Sequence, residues 1–248
     1  MKRKLLAVSL FIFLILQCSN AMAFLHVEGR YWFTNLSGVT NVSNGAAAGT
    51  GLSLVNGLGL PEQKDFWEAR ISLELGNHQI RYGYLPMQWS GSRSIAGTIN
   101  FNGQAFTGKI DSTLNANYHR LGYKYDFINI LGSDAGVIAE IKYFDSTIGL
   151  SGPGIPESRR EISGFFPTVG ASGHLGLPYG MNFGGELTAG GLSYDKYTAD
   201  GELALNFNAI PNVTMSGGYR ALIVYMGRPN VKEHLNLTGP FVLMRAGF

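Results

Sequence analysis

Twelve charged residues stand at alternating positions inside segments that are otherwise apolar, and the chemistry open to them is ion pairing. Glu28 and Arg30 lie in "LHVEGRYWFTNL" (25–36), Glu68, Arg70 and Glu74 in "DFWEARISLEL" (65–75), Arg81 in "QIRYGYLP" (79–86), and Glu140 and Lys142 in "AGVIAEIKYF" (135–144). Glu186, Glu202, Arg220 and Arg245 carry the pattern toward the C-terminus. Six acids and six bases make a self-neutralising set, expected because an unpaired buried charge costs several kcal/mol. Lining a selective pore is their other reading.

A second chemistry, nucleophilic hydrolysis, needs a hydroxyl, a base and an orienting acid. Ser172 and His174 share one strand parity, and Glu186 lies in the next segment. In a chain this rich in Ser and Glu such triplets arise readily by chance, so they are weak candidates. His26, His78, His119, His174 and His234 form no spaced metal motif of the H-E-x-x-H kind, and no cofactor site is read.

The ends of the chain say where these residues work. Lys2, Arg3 and Lys4, the apolar run from Leu5 to Leu16 and the Ala21-Met22-Ala23 site make a secretory signal peptide over residues 1–23, leaving 24–248 as one domain. Lipidation at Cys18 is the alternative, but Gln17 is bulkier than lipoprotein signals place there. Cys18 is the single cysteine, so cleavage leaves no disulfide. Without the three signal cations the 19 Lys and Arg become 16 against 17 Asp and Glu, which removes any basic face for nucleic acid.

The 34 glycines are about twice the usual share, and charged residues are only 15% of the chain. No apolar run after Ala23 is long enough for a membrane helix. An exported, Gly- and aromatic-rich chain without such a helix points to a closed barrel, which satisfies its backbone groups inside lipid. Segments of about ten alternating residues, joined by alternately short and long connections, fit that expectation.

The fold class expected is therefore all-β, a transmembrane antiparallel up-and-down β-barrel of about ten strands, with eight and twelve as the alternatives. Short turns are expected near 76–78, 131–134, 178–180 and 209–212, with both termini on the periplasmic side. Residues 37–64, 90–107 and "TIGLSGPGIPESRRE" (147–161) read as long outer connections, the second carrying a small hairpin at Asn102-Gly103. Between Tyr118 and Leu121 the apolar parity switches, which predicts a β-bulge near His119-Arg120. Tyr31, Trp32, Trp67, Tyr82, Tyr84, Trp89, Tyr123, Tyr125 and Tyr143 read as aromatic girdles, with sugar stacking as their other use. Leu52, Leu54, Val55 and Leu58 in the first outer connection need cover, from the barrel mouth or from a partner. Arg159 and Arg160 are placed to touch anionic lipopolysaccharide or to stay solvated.

On these features the chain resembles bacterial outer-membrane β-barrel proteins over its whole mature length. The resemblance implies that "FVLMRAGF", ending in Phe248, is a closing strand read by the barrel-assembly machinery. It also implies outer-membrane lipid and lipopolysaccharide as surroundings, and a monomer is expected. The function expected is a charge-lined, largely filled barrel acting as a structural or surface-binding protein or as a narrow low-conductance channel. An outer-membrane lipid or peptide hydrolase is the alternative.

Overall fold

The computed structural model describes residues 23–44, 48–228 and 230–248; the expected signal peptide lies outside the described residues up to Ala23. The strands are β1 (Ala23–Val42), β2 (Leu52–Ser53), β3 (Gln63–Leu75), β4 (His78–Phe101), β5 (Gln104–Ile130) and β6 (Ser133–Gly152). They continue with β7 (Ile155–Leu177), β8 (Met181–Ser193), β9 (Lys196–Ile210), β10 (Val213–Arg228) and β11 (Val231–Gly247). Each pairs antiparallel with its neighbour in sequence, apart from the two-residue β2, and β11 closes on β1 from His26–Gly247 to Val42–Val231. The result is a ten-stranded up-and-down ring in which every wall strand has a neighbour on both sides. The last pair is sealed at its base by Leu25 and Phe248, whose backbones exchange hydrogen bonds at 3.1 and 2.8 Å.

Strand parity is set by what each face meets. Outward positions near the terminal end are apolar and exposed, as at Val27, Trp67, Leu121, Ile141, Leu203 and Val242, while inward Arg30 is 1% and Glu68 2% exposed. That is the polarity of a wall with hydrocarbon outside and protein inside. Farther along the same strands the polarity inverts. On β5 the outward row passes from Tyr125, Tyr123 and Leu121 to Asn117, Asn115 and Thr113, while the inward row passes from Lys124 and Arg120 to Tyr118, Ala116, Leu114 and Ile110. On β6 the outward row runs from Ile141 to Asp145 and Thr147, and the inward row from Lys142 to Phe144, Ile148 and Leu150. The upper barrel has water outside and an apolar core inside.

This inversion corrects three sequence expectations. No bulge occurs at His119-Arg120, where β5 pairs in unbroken register with both β4 and β6; the irregularities fall at Ile95/Thr98 and Asp126/Ile128 instead. The parity switch is a change of surroundings rather than of geometry. Residues 90–107 and 147–161 are wall strands with tight tips, β4 turning into β5 at Asn102-Gly103 and β6 into β7 at 153–154. Their apolar residues face inward there, so they do not read as membrane strands. Trp32 and Trp89 belong to the interior, fully buried, and not to the girdle. The outer ring instead includes Tyr31 edge-on to Trp67 at 4.8 Å, Tyr84 stacked on His119 at 4.8 Å and Tyr143 against Phe165 at 4.6 Å.

The mouth is closed by the chain itself. The β1–β3 connection turns inward through β2, and Leu52, Leu54, Leu58 and Leu60 are buried among Trp32, Leu36, Trp89 and Leu235. Backbone bonds Gly57–Ser53, Leu58–Ser53 and Gly59–Val55 wind this stretch into a turn of helix. The β4–β5 tip leans over it: Asn102 donates its amide to the Val42 carbonyl at 3.0 Å, and its side chain reaches the Arg159 carbonyl at 3.3 Å. Asn102 (φ 51°) and Gly103 (φ 79°) both take the left-handed backbone of a two-residue hairpin turn.

Burial of the plug leucines makes a direct prediction. Leu54→Ala and Leu58→Ala should each lower unfolding stability in lipid vesicles by about 2–5 kcal/mol, the usual cost of truncating a fully buried leucine. Faster proteolysis within residues 43–62 should accompany the loss, and an unchanged denaturation midpoint would show that the connection does not plug the mouth.

Candidate functional site: an ion layer beneath an apolar head

Inward positions at the level of the apolar belt meet across the lumen as one ion layer. Glu68 is its hub. Oε1 accepts from Arg70 and Arg120 at 3.0 Å, and Oε2 accepts from Arg30 at 3.3 Å and from Arg220. Four strands thus send an arginine to one carboxylate. Asp200 receives Arg220 on both oxygens at 2.8 Å, Arg120 at 3.0 Å and the Tyr118 hydroxyl at 3.3 Å. Glu202 holds Arg30 in a two-pronged contact at 2.7 and 2.8 Å and takes Arg70 at 3.0 Å.

Arg81 bridges Glu140 and Glu186, each at 2.7 Å. Lys142 donates to Thr188 at 2.6 Å and lies 3.5 Å from Glu140. Glu28 sits 3.4 Å from Arg245 and 4.0 Å from Arg70 at the lower edge. Glu74 is at the rim, its side chain 44% exposed and 3.2 Å from His26. Most of the twelve charges read from the sequence therefore fall into one connected lattice.

Arg120 and Asp200 complete the layer and are not among the twelve, while Lys124 belongs to a separate pair near the short turns. The supposed bulge took Arg120 out of the lumen. Asp200 shares parity with Glu202 on β9, and that parity is the signal that places it in the lumen. Lys124, between Tyr123 and Tyr125, lies 3.0 Å from Asp126. Higher up, Glu233 is buried in the apolar head and accepts from the Ser146 hydroxyl at 2.9 Å.

Two glycines make room for the layer. Gly83 and Gly122 take inward positions on β4 and β5. A Cβ on Gly83 would stand 3.3 Å from Arg70 Cγ, and one on Gly122 2.9 Å from Glu140 Cγ. Aromatic faces close the layer above: the Arg30 guanidinium lies 4.2 Å over Phe241, and Arg220 lies 4.7 Å over Trp32. Such contacts are worth about 2 kcal/mol or more when desolvated. Below the layer a cavity of about 90 Å³ is lined by Glu28, Arg70, Arg81, Glu186 and Arg245. That is room for water beside these charged side chains.

The hydrolytic candidates are near one another but not joined. Ser172 stands opposite Glu186 in the β7–β8 ladder, yet its buried hydroxyl has no hydrogen-bond partner. The Glu186 carboxylate is held by Arg81, and His174 is 2.8 Å from Asp134. A base turned to another acid does not activate this serine.

Comparison with known proteins agrees with the geometry at the level of fold. The sequence matches no protein-family model and no curated protein. Among solved structures the chain is similar to the outer-membrane protease OmpT from Escherichia coli, with a TM-score of 0.54 and 13% identity over 90% of this chain and 97% of that one. It is also similar to the translocator domain of the autotransporter NalP from Neisseria meningitidis (TM-score 0.44, 10% identity, 97% and 95% covered). A third likeness is to Ail, the attachment invasion locus protein of Yersinia pestis, solved with the heparin analogue sucrose octasulfate (TM-score 0.41, 10% identity, 89% and 98% covered). The fold is that of the bacterial outer-membrane β-barrels.

Removing one partner of a buried ionic lattice costs about 3–5 kcal/mol. Glu68→Gln should therefore lower stability by about that amount in urea titrations of the vesicle-bound barrel, more than Glu74→Gln at the rim. The double variant Glu68→Gln/Arg220→Met should regain part of the loss. Equal effects at Glu68 and Glu74 would sink the hub assignment.

Proposed function

We propose that this chain is a sealed outer-membrane barrel with a structural and surface-binding role, and not a conduit. The observation that carries this reading is the stacking of two fillings in one lumen. The ion layer occupies the belt, and above it Trp32, Leu85, Phe144, Phe166, Leu222 and Leu237 pack as a dry core under the Leu52–Leu60 plug. A permeating ion would have to pass the apolar core without water, at a cost of several kcal/mol or more. Roughly eight strands just fit interior side chains and 16 leave a channel, so ten strands with arginine-rich contents lie on the filled side.

The belt's exposed apolar face suits outer-membrane lipid and the acyl chains of lipopolysaccharide, and the aromatic ring suits the headgroup boundary. Arg159, 68% exposed at its side chain, is held by Glu157 at 2.7 Å, so its charge is partly spent within the head. The short turns at 76–77, 131–132, 178–180 and 211–212 share one end with both termini, and the short-turn rhythm of such barrels supports a periplasmic place for that end and an exterior one for the head. Export by residues 1–23 and closure through Phe248 by the assembly machinery belong to the same reading.

Two measurements test it. Purified barrel in planar bilayers should stay silent at moderate voltage, and steady unitary openings would overturn the sealed state. An epitope inserted between Pro153 and Gly154 should be stained on intact cells, while one inserted at Gly76-Asn77 should need permeabilisation; the reverse pattern would invert the orientation.

A further inference from the structure

The wall of the head is not continuous. The β3–β4 ladder runs from Leu75–His78 up to Ala69–Tyr84 and stops there. Both strands go on: β3 continues to Gln63, paired with β1 on its far side, and β4 continues from Leu85, paired with β5 on its far side. The facing edges of residues 63–68 and 85–90 have no ladder between them. A surface cleft of about 430 Å³ fills the gap, with Phe66, Met87 and Ala116 as its floor and Asp65, Gln88 and Asn117 on its walls. Above the short β8–β9 hairpin β7 also has a free edge, but there one edge faces the gap rather than two.

The cleft is accessible from water. Trp67 and Tyr84 mark the outer aromatic ring beneath it, and the outward positions above them are Asp65, Gln63, Gln88 and Ser90, all exposed. Its upper end is closed by the chain itself. Gly59 and Leu60 lie directly against the backbone of Gly91 and Ser92, so close that a Cβ on Gly91 would meet the Gly59 carbonyl. At that level the β2–β3 connection packs on the lumen face of β4. The edges also carry Lys64 and Pro86, residue types that natural sheets place where an unpaired edge must not recruit strands at random.

The geometry points to strand addition: the β3–β4 cleft receives an extended peptide segment of another polypeptide, which completes the ladder between the two edges. Six residues at about 3.3 Å each give a slot roughly 20 Å long. Main-chain hydrogen bonds supply affinity in this mode, and alternate side chains supply selectivity. The floor asks for apolar side chains at every second position, and the walls of Asp65, Gln88, Asn115 and Asn117 ask for polar ones between them. The partner class is therefore an extended, alternating apolar and polar strand of low net charge. This inference names the partner of the surface-binding role and rests on that reading.

The probe is a seven-residue peptide of alternating valine and threonine with a central photo-crosslinking residue, applied to the full barrel in nanodiscs. Adducts should map to 63–68 or 85–90. N-methylation of alternate peptide bonds should reduce labelling at least tenfold, and so should Gln88→Cys carrying a bulky maleimide, while unmodified Gln88→Cys labels as wild type. Absence of adducts, adducts elsewhere, or equal labelling by the N-methylated peptide would overturn the proposal. Bilayer recordings on the same preparation separate the two failures: silence without labelling removes only strand addition, whereas conductance removes the sealed-head reading.

Discussion

The ion layer at the level of the belt sets the terms for the rest of the barrel: opposite charges meet there in the middle of the lumen. Two unit charges about 4 Å apart attract by about 4 kcal/mol at an effective dielectric constant near 20, and each loses several kcal/mol of hydration on burial. The balance favours the folded state most where a buried ion has several partners. Glu68 and Asp200 meet that condition by receiving several cations each from different strands. The layer is thus a set of cross-braces through the lumen, and the glycines at 83 and 122 are its clearances.

The second constraint is the boundary between lipid and water on the outer face. Below it the wall must be apolar outside, so polar residues are confined to the lumen; above it the wall can be polar outside, so the lumen is free to be apolar. Trp32, Phe241 and Tyr118 sit at the junction of the two fillings and serve both, with a ring face toward an arginine or a hydroxyl toward Asp200. A tall barrel that is membrane protein at its base and water-soluble β-barrel at its top follows from one strand parity.

That junction also explains what the sequence disclosed. Alternation of Val27, Gly29 and Tyr31 with Glu28, Arg30 and Trp32 was enough to give strand, parity and ion-bearing face, because inside and outside differ sharply there. The ring of ten and its short turns were legible for the same reason. The upper wall was not, since Leu114, Ala116 and Tyr118 satisfy the same alternation with the opposite meaning, and a single pattern cannot tell which side is wet. Which ions touch which was also hidden: Arg120 pairs with residues 52 and 80 positions away, and only closure of the ring sets those distances.

The seam between the first and last strands carries a consequence for how the molecule is made. Leu25 and Phe248 are 223 positions apart in the sequence, and Glu68 collects cations from β1 and β10 as well as from its own neighbourhood. Closure of the ring by β11 on β1 is therefore what brings the arginines of β1 and β10 to the same carboxylate. Such long-range pairing slows folding in general.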